Sequence, residues 1–193
     1  MVKQARSSRF AWHGALTLGL LLAGSGPAAA AAGDADAGRQ NSVQCVACHG
    51  AFGISDNEAW PDLAGQSAEY LAKQLADFRA GGRHDPWMTQ LAVPLSADEI
   101  ADLAAYYSSL EGLDEPDAAS IPAAAAACAA CHSARARIIN SAWPVLGGQN
   151  AAYLAKQLRD FRAGLRQDPV MAPLARALAS EDIDRLAALY AGQ

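Results

Sequence analysis

Two short clusters of cysteine and histidine carry the most specific chemistry in this 193-residue sequence. Each cluster has the spacing Cys-x-x-Cys-His. Two thiols separated by two residues can each form a thioether with a vinyl group of haem, and the adjacent histidine is then held against the iron as an axial ligand. The clusters therefore predict two covalently attached c-type haems. The predicted attachment residues are Cys45, Cys48, Cys128 and Cys131, and the predicted iron ligands are His49 and His132.

Three other uses of paired cysteines fit this sequence less well. A thioredoxin-like redox pair needs a βαβ setting, which the sequence does not indicate. Structural disulfides do not require the adjacent histidine. A zinc ribbon places its two Cys-x-x-Cys knuckles about 15–20 residues apart, whereas Cys48 and Cys128 are 80 residues apart. Haem attachment is therefore the favoured interpretation.

The sequence offers few candidates for the sixth ligand of each iron. Beyond residue 32 there are only two methionines, Met88 and Met171, and each follows its motif histidine by 39 residues, just after an Asp-Pro pair. A lone methionine is usually a core filler, but the matched spacing predicts that both are iron ligands. His84 is the alternative ligand for the first iron. The residue aligned with His84 in the second half of the sequence is Gln167, which argues against His84 as a ligand.

The sequence repeats itself with an offset of 83 residues, which aligns both cysteine motifs and both methionines without a gap. Between residues 45 and 107, 36 of the 63 positions are identical to their partners. This identity predicts a duplicated domain. The predicted units are an N-terminal domain at residues 33–110, an acidic, proline-containing linker at 111–122 and a C-terminal domain at 123–193.

Every periodic segment of the sequence is helical, so we predict an all-α fold. Ser67 is expected to cap a helix that ends before Gly81, and the capping-box pair Ser96 and Glu99 is expected to begin the last helix of the first copy. The predicted buried face of that last helix has the spacing i, i+3, i+4, i+7. It consists of Ile100, Leu103, Ala104 and Tyr107.

The N-terminus has the organisation of a secretory signal peptide. Three basic residues precede an apolar run at 15–23, and small residues at 28–32 suit an A-x-A cleavage site. The apolar run is too short for a bilayer core, which needs roughly 20 residues. We therefore predict that residues 1–32 are cleaved and that the chain is exported, with the bacterial periplasm as its location.

The predicted mature chain is acidic, with 12 basic and 20 acidic side chains and a formal charge of −8. This charge removes the phosphate attraction on which nucleic-acid binding depends, so we expect no nucleic-acid partner. It favours partner proteins with a basic surface. We expect a monomer with at most loose membrane association.

The repeated motifs resemble those of class I cytochrome c domains, and the tandem pair resembles diheme cytochromes of the cytochrome c4 type. Each copy reads C-x-x-C-H, W-P-x-L-x-G-Q, Y-L-x-K-Q-L, F-x-x-G and then a late methionine. The match extends from about Gly38 to Tyr190. It implies two small helical domains, each wrapped around a covalently bound haem. It also implies a periplasmic carrier that takes electrons from a quinol-oxidising bc1 complex toward a terminal oxidase.

The resemblance further implies roles for residues around each haem. The carbonyl groups of Pro61 and Pro144 should accept a hydrogen bond from the axial imidazoles, and Gly38 should allow an N-terminal helix to approach the C-terminal helix closely. Several polar and aromatic residues are candidates for contacts with the haem propionates, or equally for core aromatics and a solvated basic helix face. They are Trp60, Trp143, Gln66, Gln149, Arg79, Arg83, Arg162 and Arg166.

One segment departs from the resemblance. The first copy continues after its motif with Gly50-Ala-Phe-Gly53, whereas the second has Ser133-Ala-Arg-Ala136 followed by Arg137. The resemblance therefore defines the surroundings of the second haem less well than those of the first, and the arginines would form a positive spot on an acidic protein.

Two filled axial positions leave an iron no room for a substrate, which favours an electron carrier without enzymatic activity. The alternative function is that of a diheme cytochrome subunit of a periplasmic dehydrogenase, such as a flavocytochrome c sulfide dehydrogenase. A diheme peroxidase would need one open iron, and the two matched methionines argue against that.

Overall fold

The computed structural model describes Met1, residues 33–112 and residues 125–192, which form ten α-helices and one 3-10 turn. In the first repeat (residues 33–110), the elements are α1 (Ala35–Asn41), the 3-10 turn (Ser42–Gln44), α2 (Val46–His49), α3 (Ala68–Ala80), α4 (Met88–Ala92) and α5 (Ala97–Ser109). In the second repeat (residues 123–193), they are α6 (Ala126–His132), α7 (Ala134–Ile139), α8 (Ala151–Ala163), α9 (Met171–Ala177) and α10 (Ser180–Ala191). The predicted all-α fold is confirmed.

Two predicted segments lie mostly outside the described residues. They are the signal peptide at 1–32, of which only Met1 is described, and residues 113–122 of the linker. Within the described part of the chain, no helix has the length and apolar character needed to cross a bilayer.

The ends of α3 and α5 follow from local chemistry. The Ser67 side chain accepts a hydrogen bond from the Tyr70 amide and begins α3, and Gly81 ends it with a φ of 81°, a left-handed conformation that suits glycine. The Ser96 hydroxyl accepts from the Glu99 amide at 3.1 Å, while the Glu99 carboxylate accepts from the Ser96 amide at 2.8 Å. These hydrogen bonds to Ser96 lower the pKa of Glu99. Both predicted helix starts are confirmed.

Each repeat has an apolar core that its long helices share. In the first repeat, Leu71 of α3 packs with Leu103, Ala104 and Tyr107 of α5. The predicted buried face of α5 is confirmed, because Ile100 is also buried. The equivalent core of the second repeat is formed by Ala125, Leu154, Ala155, Ile183, Ala187 and Tyr190.

Helix α1 crosses α5 at a glycine. Gly38 is buried, and a Cβ atom built on it would lie 2.0 Å from the Asp102 carbonyl oxygen and 2.8 Å from the Tyr106 Cβ. Real Cβ atoms do not approach other atoms this closely, so only glycine lets the two backbones meet here. The close approach implied for Gly38 is confirmed.

Replacing Gly38 with alanine should therefore separate α1 from α5. We expect Gly38→Ala to lower the free energy of unfolding by about 3 kcal/mol, the upper part of the range for overpacking. Gly82→Ala is the matched control, because a Cβ there would have no neighbour closer than 3.8 Å. Urea unfolding followed by circular dichroism measures both variants. Equal midpoints for the two would contradict the close-packed crossing.

Candidate functional site

The first cysteine motif lies on a single helical turn. Cys45 precedes α2, and the His49 amide donates to the Cys45 carbonyl at 2.9 Å, which brings both ends of the motif together. His49 is only 5% exposed, and its Nδ1 lies 2.9 Å from the Pro61 carbonyl oxygen. Since a carbonyl only accepts, Nδ1 must carry the hydrogen. Nε2 then keeps its lone pair for iron.

The second motif repeats this geometry at the end of α6. His132 Nδ1 lies 2.9 Å from the Pro144 carbonyl oxygen. Burial lowers the pKa of both His49 and His132, and the hydrogen bond to the proline carbonyl opposes that shift. The neutral imidazole that results is the form that binds iron. The hydrogen bonds to Pro61 and Pro144 that the resemblance implied are confirmed.

A cavity of about 390 Å³ opens beside the first motif. Cys45, Cys48, His49 and Met88 all line it, so the structure brings the four residues predicted for the first haem together. The rest of the lining is largely apolar, as the body of a haem requires. It includes Leu71, Leu75, Phe78, Leu91, Leu95 and Leu103. His84, the rival ligand, is exposed and is not part of this lining.

Both methionines are positioned by an aspartate three residues earlier. The Asp85 carboxylate accepts from the amides of Trp87 at 3.0 Å and Met88 at 3.1 Å, and α4 begins there. Asp168 holds the amide of Met171 at 2.8 Å in the same way, at the start of α9. Burial opposes the ionisation of Asp85, but the two amides and the Lys156 ammonium lower its pKa. The aspartates of the Asp-Pro pairs noted in the sequence therefore hold the turns that lead into the methionine helices.

The two repeats meet at the turns that follow α3 and α8. The His84 amide donates to the Leu165 carbonyl at 2.7 Å, and the Gln167 amide donates to the Gly82 carbonyl at 2.8 Å. Between these bonds Arg83 and Arg166 form an isolated antiparallel bridge. Because the two arginines are 83 residues apart, this contact pairs equivalent positions of the two repeats.

The Arg83 and Arg166 side chains each bind residues of both repeats. Arg83 donates to Gln74 Oε1 at 2.9 Å in its own repeat, and to Gln157 Oε1 at 2.7 Å and the Tyr153 hydroxyl at 3.0 Å in the other. Arg166 makes the equivalent bonds to Gln157, Gln74 and the Tyr70 hydroxyl. We call these six side chains the arginine joint. Its members are Tyr70, Gln74, Arg83, Tyr153, Gln157 and Arg166.

Neither arginine of the joint forms an ion pair within the described residues, and around Arg166, where burial opposes the charge, Tyr70, Tyr153 and the Asp168 carboxylate raise the pKa. Arg83 and Arg166 are 7% and 8% exposed, and neither has a carboxylate within 4 Å in the described ranges. Their guanidinium groups lie over the rings of Phe78 and Phe161, at 4.4 and 4.5 Å from the centroids. Burial opposes the ionisation of Tyr153, yet the two guanidinium charges lower its pKa. Two buried cations without a carboxylate partner are costly.

This unbalanced charge matches the chemistry of haem. A haem carries two propionate carboxylates, and Arg83 lines the cavity that also contains the first cysteine motif. Trp60, Gln66 and Gln149 line the same cavity. The residues present therefore fit a haem: thiols for attachment, a neutral imidazole, an apolar wall and a buried cation for the carboxylates.

The other arginine candidates have a different role. Arg79 is exposed and donates to the Leu95 carbonyl at 2.9 Å. Arg162 donates to the carbonyls of Ala175 and Leu178. Both side chains therefore fasten the segment after a methionine helix.

Gln66 and Gln149 join the repeats through paired main-chain hydrogen bonds. Gln149 accepts from the Asp62 amide and donates to its carbonyl, both at 2.9 Å. Gln66 accepts from the Val145 amide at 3.1 Å and donates to its carbonyl at 2.7 Å. Sequence reasoning did not identify this interface. A signal for the arginine joint was present in the sequence, because Gln74 is a polar residue on the side of α3 that also carries Leu71 and Phe78.

The surroundings of the two motifs differ after the histidine. In the first repeat, the Ser55 amide donates to Asp62 at 2.6 Å and the Ser55 hydroxyl donates to the Cys48 carbonyl at 2.8 Å. In the second repeat, the equivalent residues are Ile138 and Val145, which cannot form these bonds. Helix α7 replaces the loop there, so the segment that departs from the resemblance also differs in its backbone structure.

The aligned tyrosines of the last helices also differ. The Tyr190 hydroxyl donates to the Ala125 carbonyl at 3.2 Å, whereas the buried Tyr107 hydroxyl has no such acceptor in the described part of the chain and lies beside Cys45. Burial raises the pKa of Tyr107 well above its usual value and raises the pKa of Tyr190 to about 12. Neither phenol ionises near neutral pH.

Comparison with known proteins gives consistent results. Residues 35–111 match the Cytochrome c family. The chain is 38% identical to a cytochrome c4 of Pseudomonas aeruginosa, over 92% of this chain and 94% of that protein. It is 35% identical to a thiosulfate dehydrogenase electron acceptor of Stutzerimonas stutzeri, over 78% of this chain and 79% of that protein. The crystal structure of reduced recombinant cytochrome c4 from Pseudomonas stutzeri superposes with a TM-score of 0.72 at 37% identity, covering 83% of this chain and 99% of that one.

The role of Arg83 can be tested by the size of its effect on stability. If Arg83 pairs with a propionate, Arg83→Met should lower the free energy of unfolding of the haem-loaded protein by about 2 kcal/mol, because Tyr153 and Gln157 also lose a donor. Loss of a nearby positive charge should lower the reduction potential as well. If no anion is bound, the same hydrogen bonds are lost but an unpaired buried charge is removed with them, so the loss of stability should be clearly smaller. Arg79→Met, which removes an exposed cation from the end of α3, is the control. Urea unfolding and redox titration measure both variants.

Proposed function

The chain belongs to the cytochrome c4 family of diheme cytochromes, and from this premise we propose that it carries electrons between respiratory proteins in the bacterial periplasm. Its relatives named cytochrome c4 are electron carriers and not enzymes. As a member of this family, the chain binds two c-type haems covalently. One observation carries the proposal: a cysteine motif and a methionine occur at matched positions in both repeats, and in the first repeat all four residues line one cavity.

We assign the same set of roles in each repeat. Cys45, Cys48, Cys128 and Cys131 would attach the haems, and His49, Met88, His132 and Met171 would bind the irons. A haem bound in this way supplies one-electron exchange between ferric and ferrous iron. The carbonyls of Pro61 and Pro144 orient the imidazoles, and Arg83 and Arg166 supply positive charge to the propionates. With both axial positions filled by side chains, neither site has room for a substrate.

The physiological partners follow from the family and from the predicted export. We propose a quinol-oxidising bc1-type complex as the donor and a terminal oxidase as the acceptor, with residues 1–32 directing the chain to the periplasm. A second candidate is supported by the relative named as an electron acceptor of thiosulfate dehydrogenase, which has 35% identity to this chain. In that case a periplasmic dehydrogenase, such as one that oxidises sulfur compounds, is the donor.

The axial methionines can be tested with carbon monoxide, which binds ferrous haem only where a coordination position is open. The dithionite-reduced wild type should contain two haems and show no spectral change. Met88→Ala and Met171→Ala should each open one haem, and the double variant should open both. His84→Ala is the control and should behave as the wild type does. A carbon monoxide shift in the wild type would contradict two methionine-closed irons.

The donor can be tested with purified components. We expect a bc1-type complex supplied with quinol to reduce the ferric protein, and we expect a terminal oxidase to reoxidise it with uptake of oxygen. Haem absorbance follows both steps, and quinol without the complex is the control. Reduction by thiosulfate dehydrogenase with thiosulfate, combined with no reduction by the bc1-type complex, would favour the second candidate instead.

A further inference from the structure

Helix α7 forms an exposed apolar and basic surface beside the second cysteine motif. Only Ser133 separates His132 from the start of this helix, and the Ser133 hydroxyl caps it by accepting from the Ala136 amide at 3.2 Å. Ile138 is 86% exposed and Ile139 is 76% exposed. Single exposed apolar side chains are common, but two adjacent isoleucines with this exposure form a patch that costs hydration free energy unless something covers it.

The inner side of α7 is fastened to the protein. Ala136 is 3% exposed, and the Arg137 guanidinium donates to the Gly65 carbonyl of the first repeat. The helix is therefore held in one orientation, and its outer residues point away from the core. Arg135 is exposed and lies three and four residues before the two isoleucines, so all three share one face. We call Arg135, Ile138 and Ile139 the α7 face.

The α7 face differs in charge from the equivalent segment of the first repeat. The residues aligned with Arg135, Ile138 and Ile139 are Phe52, Ser55 and Asp56. The segment has therefore gained a basic residue and lost an acidic one. Arg135 is exposed, and among the described residues it forms no ion pair.

This local difference follows the charge of the repeats as a whole. The first repeat has 4 basic and 11 acidic side chains, a formal charge of −7, whereas the second has 8 basic and 5 acidic side chains, a formal charge of +3. The acidic net charge of the chain thus conceals a basic half. The expectation of a basic partner surface applies to the first repeat and not to the second.

We propose that the α7 face is the docking surface for an acidic redox protein that exchanges electrons with the second haem. The inference rests on the proposed function, since it requires an electron carrier. Positive charge attracts an acidic partner and raises the rate of encounter, and the two isoleucines supply the apolar contact at the centre. An anionic membrane is the less suitable occupant. One arginine and two short apolar side chains supply too little attraction for stable attachment to a bilayer.

The test uses the mature two-haem protein and reduced flavodoxin, an acidic flavoprotein, as the electron donor. Each electron that the flavin loses reduces one ferric iron, and stopped-flow absorbance gives the second-order rate constant. In the triple variant Arg135→Glu, Ile138→Ser, Ile139→Ser, we expect the rate constant at low ionic strength to fall about tenfold, with loss of its dependence on salt. Arg185→Glu is the control, because this exposed residue of α10 undergoes the same change of charge. Its rate constant should stay within about twofold of the wild type.

Further measurements separate the possible failures. A haem count and circular dichroism establish that the triple variant is folded. If ascorbate reduces both proteins but flavodoxin reacts equally fast with the triple variant and the wild type, the docking inference is wrong while the carrier function stands. If no donor reduces the wild type, the proposed function itself fails. Binding to vesicles of phosphatidylglycerol and phosphatidylcholine that is lost in the triple variant would overturn the inference in favour of a membrane surface.

Discussion

Two buried guanidinium groups that need anions impose the main constraint on this molecule. Arg83 and Arg166 lie at the contact between the repeats, and each one binds a glutamine and a tyrosine across that contact. Glutamine and tyrosine oxygens satisfy the hydrogen bonds of a guanidinium group but leave its charge uncompensated. Under the proposed function, the carboxylates of a bound haem would supply the missing charge. Binding of the cofactor and assembly of the two repeats would then depend on the same side chains.

Around this joint the chain uses its duplication in two ways. The candidate haem residues are the same in both copies. The side chains that join the repeats are also the same, because a symmetric contact needs the same surface twice. Gln66 and Gln149 illustrate this symmetry, since each binds the main chain of the opposite repeat. The outer segments have diverged instead. Ser55 anchors a loop in the first repeat, whereas Ile138 at the aligned position is exposed on α7.

This division suits an electron carrier with two haems. The interior residues that the two repeats share keep the two sites similar, while the side chains of the two repeats carry opposite formal charge. Partners of different charge can then approach different ends of one molecule without competing for a single surface. Such an arrangement agrees with a protein that accepts electrons from one complex and delivers them to another.

Much of this protein was determined by short-range features of the sequence. The Cys-x-x-Cys-His motifs, the methionine spacing, the caps at Ser67 and Ser96 and the helical periodicity all depend on neighbouring residues, so the all-α fold and the candidate haem residues could be predicted. The contact between the repeats could not. Arg79 and Arg83 are both basic residues near the end of α3, and only the contact between the two repeats buries Arg83 and leaves Arg79 in solvent. Burial is a property of the assembled surface, and for that reason the tertiary structure alone decided which arginine lies buried between the repeats.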